Sequence, residues 1–259
     1  MAGIPDLKPI IQTQTERVDA ALGRFNRKVD RLAAGVRKDL HARFGGLSMS
    51  EGVISNTAGN LEILGGAGRF AARSATQRGY GEVVNGYLRN YQSQVVTLEE
   101  VFSTLGVRFR WQPSDRALAK RLIGRDRENL MGVVDEMAAG ISRRARKAVG
   151  AAEFGEVMEA VEGALAKVRG NAGTLAETGI NTFYRTLSGR KNEGAGIERY
   201  VYMGPDDKLT RPFCRRILDR TFTRAKIDRM DNGQLANVFI SGGGWNCRHQ
   251  WYGVTEEEE

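Results

Sequence analysis

Val18, Leu22, Phe25, Val29, Leu32 and Val36 follow one another at steps of 4, 3, 4, 3 and 4. That spacing lines the apolar side chains along one narrow stripe of an α-helix for nearly three heptads. It predicts a helix from about Gln12 to Phe44, stopped by Gly45-Gly46, because glycine commonly follows a helix C-terminus. A helix this polar outside its stripe is marginal alone, so the stripe must be covered. Two covers fit. One is further helices of the same chain. The other is a neighbouring subunit, which would make residues 1–46 an arm docking through Val18, Leu22, Phe25, Val29 and Leu32.

Residues 47–172 read as a helical body. The stretch "LGGAGRFAARSATQRGYGEVVNGYLRNYQSQVV" is helical in places despite its glycines, each costing up to ~1 kcal/mol against alanine, and its small residues allow a neighbouring backbone to come close. "GVRFRW" alternates as a short strand would, and Ser114 is a suitable N-cap for the helical pattern that resumes there. The pattern continues through "ALAKRLIG", "NLMGVVDEMAAGISRRARKAVG" and "FGEVMEAVEGALAKVRG". A separate helix is expected from about Thr174 to Gly189, with Ile180, Phe183, Tyr184 and Leu187 on one face. Past Gly194 the texture changes. "IERYVYMG" reads as a strand, and "GPDDKLTRP", "MDNGQ" and "SGGGW" as turns. The expected fold is therefore mainly α, with a small α+β C-terminal domain over residues 173–254 and a solvated acidic tail at 255–259.

Two cysteines cannot make a disulfide framework, so packing or a partner must hold the fold. No apolar run reaches the ~18 residues of a membrane span and no signal-peptide pattern opens the chain, so the expectation is a cytoplasmic product. Basic residues exceed acidic ones, 39 − 31 = +8, which favours a polyanionic neighbour. Between Arg108 and Lys147 there are eleven basic residues against five acidic, a net of +6. Arg143, Arg144, Arg146 and Lys147 are the densest point. They are either a solvated helix face or contacts to nucleic-acid phosphates.

The segment "SGGGWNCRHQW" at 241–251 concentrates chemistry. Cys214, Cys247 and His249 are three of the four ligands a zinc ion would take, with Asp207 or the distant His41 as candidates for the fourth; there is no CxxC pair. Cys214 with His249 can also be written as a nucleophile and its base, with Arg211, Arg215 and Arg216 lowering the thiol's pKa. The preferred reading is structural and without cofactor: Trp245 and Trp251 close a small core over Gly242–Gly244, the two cysteines lie near one another as small apolar groups, and Asp206, Asp207 and Thr210 form a side-chain-bonded turn.

From Thr174 onward the chain resembles the head-morphogenesis family of tailed phages, the Mu F-like minor head proteins. The residues that carry the resemblance are Glu177, Tyr184, Gly189 and Arg190 on a helix, then Asp207, Thr210, Arg211 and Cys214 in an Asp-x-x-Thr-Arg-x-x-Cys pattern, and finally Cys247-Arg248. Many relatives end in His-Pro-x-Cys-Arg-Cys; here Trp245-Asn246 precede Cys247, and His249 takes the place of the later cysteine, so any metal role carries over only in part. The resemblance spans about residues 174 to 254. It implies a virion protein at the portal vertex, present in several copies, touching portal and capsid proteins and packaged DNA, with a role in head assembly and in DNA packaging or delivery. It implies no enzymatic activity. A DNA-binding protein using residues 108–147 is the alternative, and a Cys/His hydrolase or transferase a third.

Overall fold

A computed structural model describes residues 6–148 and 152–254; the acidic tail at 255–259 lies outside the described residues. Helix α1 (Lys8–Phe44) follows Asp6, whose carboxylate accepts from the Lys8 N–H at 3.2 Å, and it carries Pro9 in its first turn, where a missing N–H costs nothing. A two-residue hairpin, β1 (Met49–Ser50) and β2 (Val53–Ile54), precedes four short helices: α2 (Ala58–Gly65), α3 (Ala67–Gln77), α4 (Tyr80–Leu88) and α5 (Tyr91–Thr104). Two long helices follow, α6 (Pro113–Lys147) and α7 (Phe154–Gly194). The chain then forms β3 (Arg199–Met203), α8 (Pro212–Ile217), β4 (Thr221–Thr223), α9 (Arg224–Ile227), α10 (Val238–Ser241) and β5 (Gln250–Val254). The fold is mainly α with a small α+β C-terminal part, as the periodicities predict. None of the described helices is long and apolar enough to cross a membrane.

Four expectations are corrected. The heptad stripe is not a free docking face: Val18, Leu22, Phe25, Val29 and Leu32 are each no more than 8% exposed, buried within the chain itself. The periodicity identified the buried face, and the chain's own helices supply the cover. "GVRFRW" forms no strand; residues 107–112 are irregular, with Trp111 donating its indole N–H to Glu99 (2.7 Å). Ser114 is not the N-cap of α6. Pro113 is already its first residue, and the cap is closed from within by Asp115, whose carboxylate accepts from the Gln112 N–H at 2.9 Å. The helix expected to start at Thr174 is the continuation of α7, which runs unbroken for 41 residues.

The chain divides into two compact units. One comprises residues 23–87 and 127–173. Its helices meet through small residues: a Cβ on Gly68 of α3 would collide with the Ala138 carbonyl and Ser142 of α6. Tyr80 donates to the Leu130 carbonyl (2.7 Å), and Phe25 packs on Tyr87 with ring centroids 4.8 Å apart.

The other unit comprises residues 1–22, 88–126 and 174–259. Its first two pieces come from far upstream of the last, and polar contacts tie the three together. Gln14 bonds Gln94 (2.8 Å) and accepts from the Tyr252 hydroxyl (3.0 Å), and Arg190 donates to Asp115 (2.9 Å). Its antiparallel sheet has the order β4-β3-β5, with Tyr202 opposite Trp251 and Val201 opposite Tyr252. Alternation puts Tyr200, Tyr202 and Trp251 on one face. There they join Cys214, Ile217, Phe222, Ile227, Val238, Phe239 and Cys247 in a buried cluster. On the other face Tyr252 meets Tyr184 of α7.

Candidate metal centre

The two cysteines arrive at one place by different devices. Upstream of α8, Asp207 accepts from the Leu209 N–H (2.8 Å), and Thr210 accepts from the Asp207 N–H (3.0 Å), the side-chain-bonded turn expected from sequence. The turn delivers Arg211 in extended conformation and Pro212 at the first helical position, so Cys214 and Ile217 face inward. Downstream of α10, Gly242 and Gly244 adopt φ of +58° and +96°. Between them a Cβ on Gly243 would collide with Cys214 Sγ and sit 3.4 Å from Cys247 Sγ. Only glycine lets this loop lie against both sulfurs.

Arg185 of α7 holds the loop in place. It is 2% exposed and donates to three carbonyls, those of Ile240 (2.9 Å), Cys247 (2.6 Å) and His249 (3.0 Å). Thr178, also on α7, accepts from the Asn246 N–H at 3.0 Å.

The result is a triad of buried soft ligands. Cys214, Cys247 and His249 are 2%, 4% and 3% exposed. The sulfurs lie 3.9 Å apart, and Cys247 Sγ is 3.8 Å from His249 Nδ1, with all three ligand atoms within 4.8 Å of one another. The Tyr202 hydroxyl sits 3.1 Å from Cys247 Sγ and 3.6 Å from Cys214 Sγ, and its ring stacks on the imidazole at 5.2 Å.

Of the two thiols Cys247 is pushed well down: the Cys214 thiol donates to it, and His249 and the Arg185 guanidinium add to the effect against the cost of burial. Cys214 is pushed up by that same hydrogen bond and by burial. The field of Arg211, Arg215 and Arg216 therefore does not lower the Cys214 thiol, as the sequence reading of a reactive thiol requires; of the two thiols it is Cys247 that is pushed down. His249 is also next to Cys247 rather than poised on a Cys214 nucleophile.

A cavity of about 220 Å³ opens beside the triad, with Glu177, Leu209, Arg211 and Arg248 on its other walls. Burial raises the Glu177 carboxyl to about 7, against the opposing pull of Arg248. Asp207 is not the fourth member of the cluster. Both its oxygens are taken by Arg248 (2.6 and 2.7 Å), a bond that holds its pKa below the usual carboxylate range. His41 belongs to the other unit and packs edge-on to Phe154.

The remaining sequence-derived residues fall into place unevenly. Tyr184 and Trp251 are buried, the latter donating to the Val238 carbonyl at 3.2 Å. Gly189 lies flat under Phe239, and Arg190 pairs with Asp115 at 2.9 Å. Arg211 donates to the Gly243 carbonyl at 2.9 Å. Trp245, expected to help close the core, is 42% exposed, so that expectation is corrected: the positive φ of Asn246 turns the chain between the two tryptophans and only Trp251 enters the interior. Arg143, Arg144, Arg146 and Lys147 are all exposed at the end of α6. Sequence reasoning missed Arg185 and Tyr202. Tyr202 had a signal in the alternation of "RYVYM", whereas Arg185, one residue from Tyr184 and two from Leu187, had none. Comparisons with family models, curated proteins and solved structures return no match for this chain.

Proposed function

We propose that this protein is a minor structural component of a tailed-phage head, sited at the portal vertex and acting in head assembly and in DNA packaging or delivery. The observation that supports the reading best is the convergence of the residues behind the resemblance. Arg248 and Asp207, 41 residues apart, form a two-oxygen ion pair; Arg211 reaches across to Gly243; Gly189 lies under Phe239; and Cys214 meets Cys247. A motif scattered over 70 residues that closes into one core and one loop clamp is a folding signature. On this reading the residues hold a shape for other head proteins to bind.

On this reading the portal protein and capsid proteins are the partners, in several copies per vertex, and the protein resides in the virion after assembly in the host cytoplasm. The exposed cations at the end of α6 give packaged DNA as a further contact. The test is composition of purified particles: mass spectrometry of procapsids and mature heads, with portal-deficient particles as the comparison. Presence in portal-bearing particles and loss from portal-deficient ones is the expected result; equal absence from both ends the proposal.

The same four cations favour one second reading, a DNA-binding protein in its own right. Phosphate contacts release counterions, so its affinity for duplex DNA must fall steeply with salt and fall further when Arg143, Arg144, Arg146 and Lys147 are reversed in charge. Salt-insensitive binding rejects it.

A further inference from the structure

We propose that Cys214, Cys247 and His249 form a zinc site with three protein ligands and an exchangeable fourth position that faces the cavity containing Glu177. The inference is independent of the head-protein reading. With Zn–S of about 2.3 Å and Zn–N of about 2.0–2.1 Å at tetrahedral angles, two thiolates stand about 3.8 Å apart and a thiolate and imidazole nitrogen about 3.6 Å. The chain holds its two sulfurs at 3.9 Å and Cys247 Sγ to His249 Nδ1 at 3.8 Å.

Two further observations point the same way. The His249 ring is almost wholly buried and is fixed by the Tyr202 face and by the close approach of Gly204, which leaves Nδ1 turned to the sulfur. Charge also closes: two thiolates and a neutral imidazole around a dication sum to zero, which removes the penalty of burying either anion unpaired. Thiolate and imidazole select zinc over magnesium or calcium.

The fourth position is open because, among the described residues, no fourth histidine, cysteine or carboxylate joins the cluster, and the Tyr202 hydroxyl is engaged as a hydrogen-bond partner of the two sulfurs. Glu177 lines the same cavity, but its carboxylate is outside the ligand set, and Asp207 is held by Arg248. The triad's three residues themselves wall that cavity, so an ion between them faces it with its free side. Arg211 and Arg248 on the opposite wall favour a water molecule or a small anion as the exchangeable ligand.

The test uses the full-length chain, stripped with chelator and titrated with cobalt(II), whose visible bands report coordination number and whose near-ultraviolet charge transfer reports thiolate ligation. One equivalent should give a tetrahedral spectrum with thiolate charge transfer. Azide should shift the visible bands, and zinc should displace the cobalt. Cys247→Ser and His249→Ala should each weaken binding at least tenfold, and Glu177→Gln should keep both the spectrum and the azide shift. Absence of a cobalt spectrum in the wild-type chain overturns the site. A tetrahedral spectrum indifferent to azide overturns the open position, as does loss of the bands in Glu177→Gln. The wild-type titration needs no variant to fold, so the result stands even if Cys247→Ser does not.

Discussion

Replacing Arg185 by methionine removes the clamp while keeping most of the side chain's length and apolar stem. In the native protein the guanidinium satisfies three carbonyls and has no carboxylate beside it among its hydrogen-bond partners. Each buried carbonyl left without a donor costs about 1–3 kcal/mol, so three set a ceiling of roughly 3–9 kcal/mol. Removing the cation returns its own desolvation cost, which brings the expected loss to about 3–5 kcal/mol. That is a large fraction of the 5–15 kcal/mol typical of a folded domain. Urea denaturation of the full chain, followed by near-ultraviolet circular dichroism of Trp251 and the surrounding tyrosines, should show the midpoint falling accordingly. Arg185→Lys should lie between, because an ammonium keeps the charge but cannot span three acceptors from a planar fork. A loss below about 1 kcal/mol for the methionine variant would refute the argument that the carbonyls depend on this one donor.

Trp251→Ala should cost about 3–5 kcal/mol by the same assay, whereas Trp245→Ala, at an exposed position, should cost under about 1 kcal/mol; equal losses would show that the burial assignment is wrong. Gly189→Ala places a methyl 3.2 Å from Phe239 Cζ and closer still to Cε1, against a ring fixed between Tyr200 and Arg224. Overpacking should cost about 1–3 kcal/mol, and a neutral effect would mean that Phe239 can swing away. Glu177 has a folded-state pKa of about 7 against an ordinary 4.5, so the folded chain binds this proton more tightly than the unfolded one. Its contribution is fully present below about pH 4.5 and is lost as pH rises through 7. Allowing for partial exposure the loss is roughly 1–2 kcal/mol, and in metal-free buffer Glu177→Gln should flatten that part of the stability–pH curve. An unchanged slope in the variant would count against the burial of this carboxyl.

The long helices and β3 were legible because each rests on local spacing. The stripe from Val18 to Val36 needs only a period of 3.5, and "RYVYM" only a period of two. What covers the stripe is not local, so a buried bundle helix and a docking arm give the same text. β5 went unread because its first residue follows directly on the Cys-Arg-His segment, with no turn residue to mark the change. The chemistry of the site was legible as residue types, since Cys214, Cys247 and His249 stand out by scarcity. Their convergence was anticipated, but its support was not. Arg185 looks like any helix-surface arginine until Ile240, Cys247 and His249 bring their carbonyls to it. The fates of Trp245 and Trp251 likewise depend on the positive φ at Asn246, which residue identity permits but does not announce.

Strand β5 follows every other described element in sequence, and that order has a consequence for synthesis. A nascent chain that has reached residue 245 already contains both pieces of the unit formed by 23–87 and 127–173. The sheet-bearing unit at that moment lacks β5 beside β3, lacks Trp251 opposite Tyr202, and lacks two of its three soft ligands. The Gln14–Tyr252 bond, across 238 residues, also awaits that last strand. Contacts this distant in sequence are slow to form because the loop they close must be ordered first. The unit therefore matures late, and until residues 247–254 are free its apolar face stays open to proteases, to chaperones and to other nascent copies. Metal capture at the proposed zinc site can only come after that closing step, so a chain cut before residue 247 would lack both that ligand set and the completed sheet.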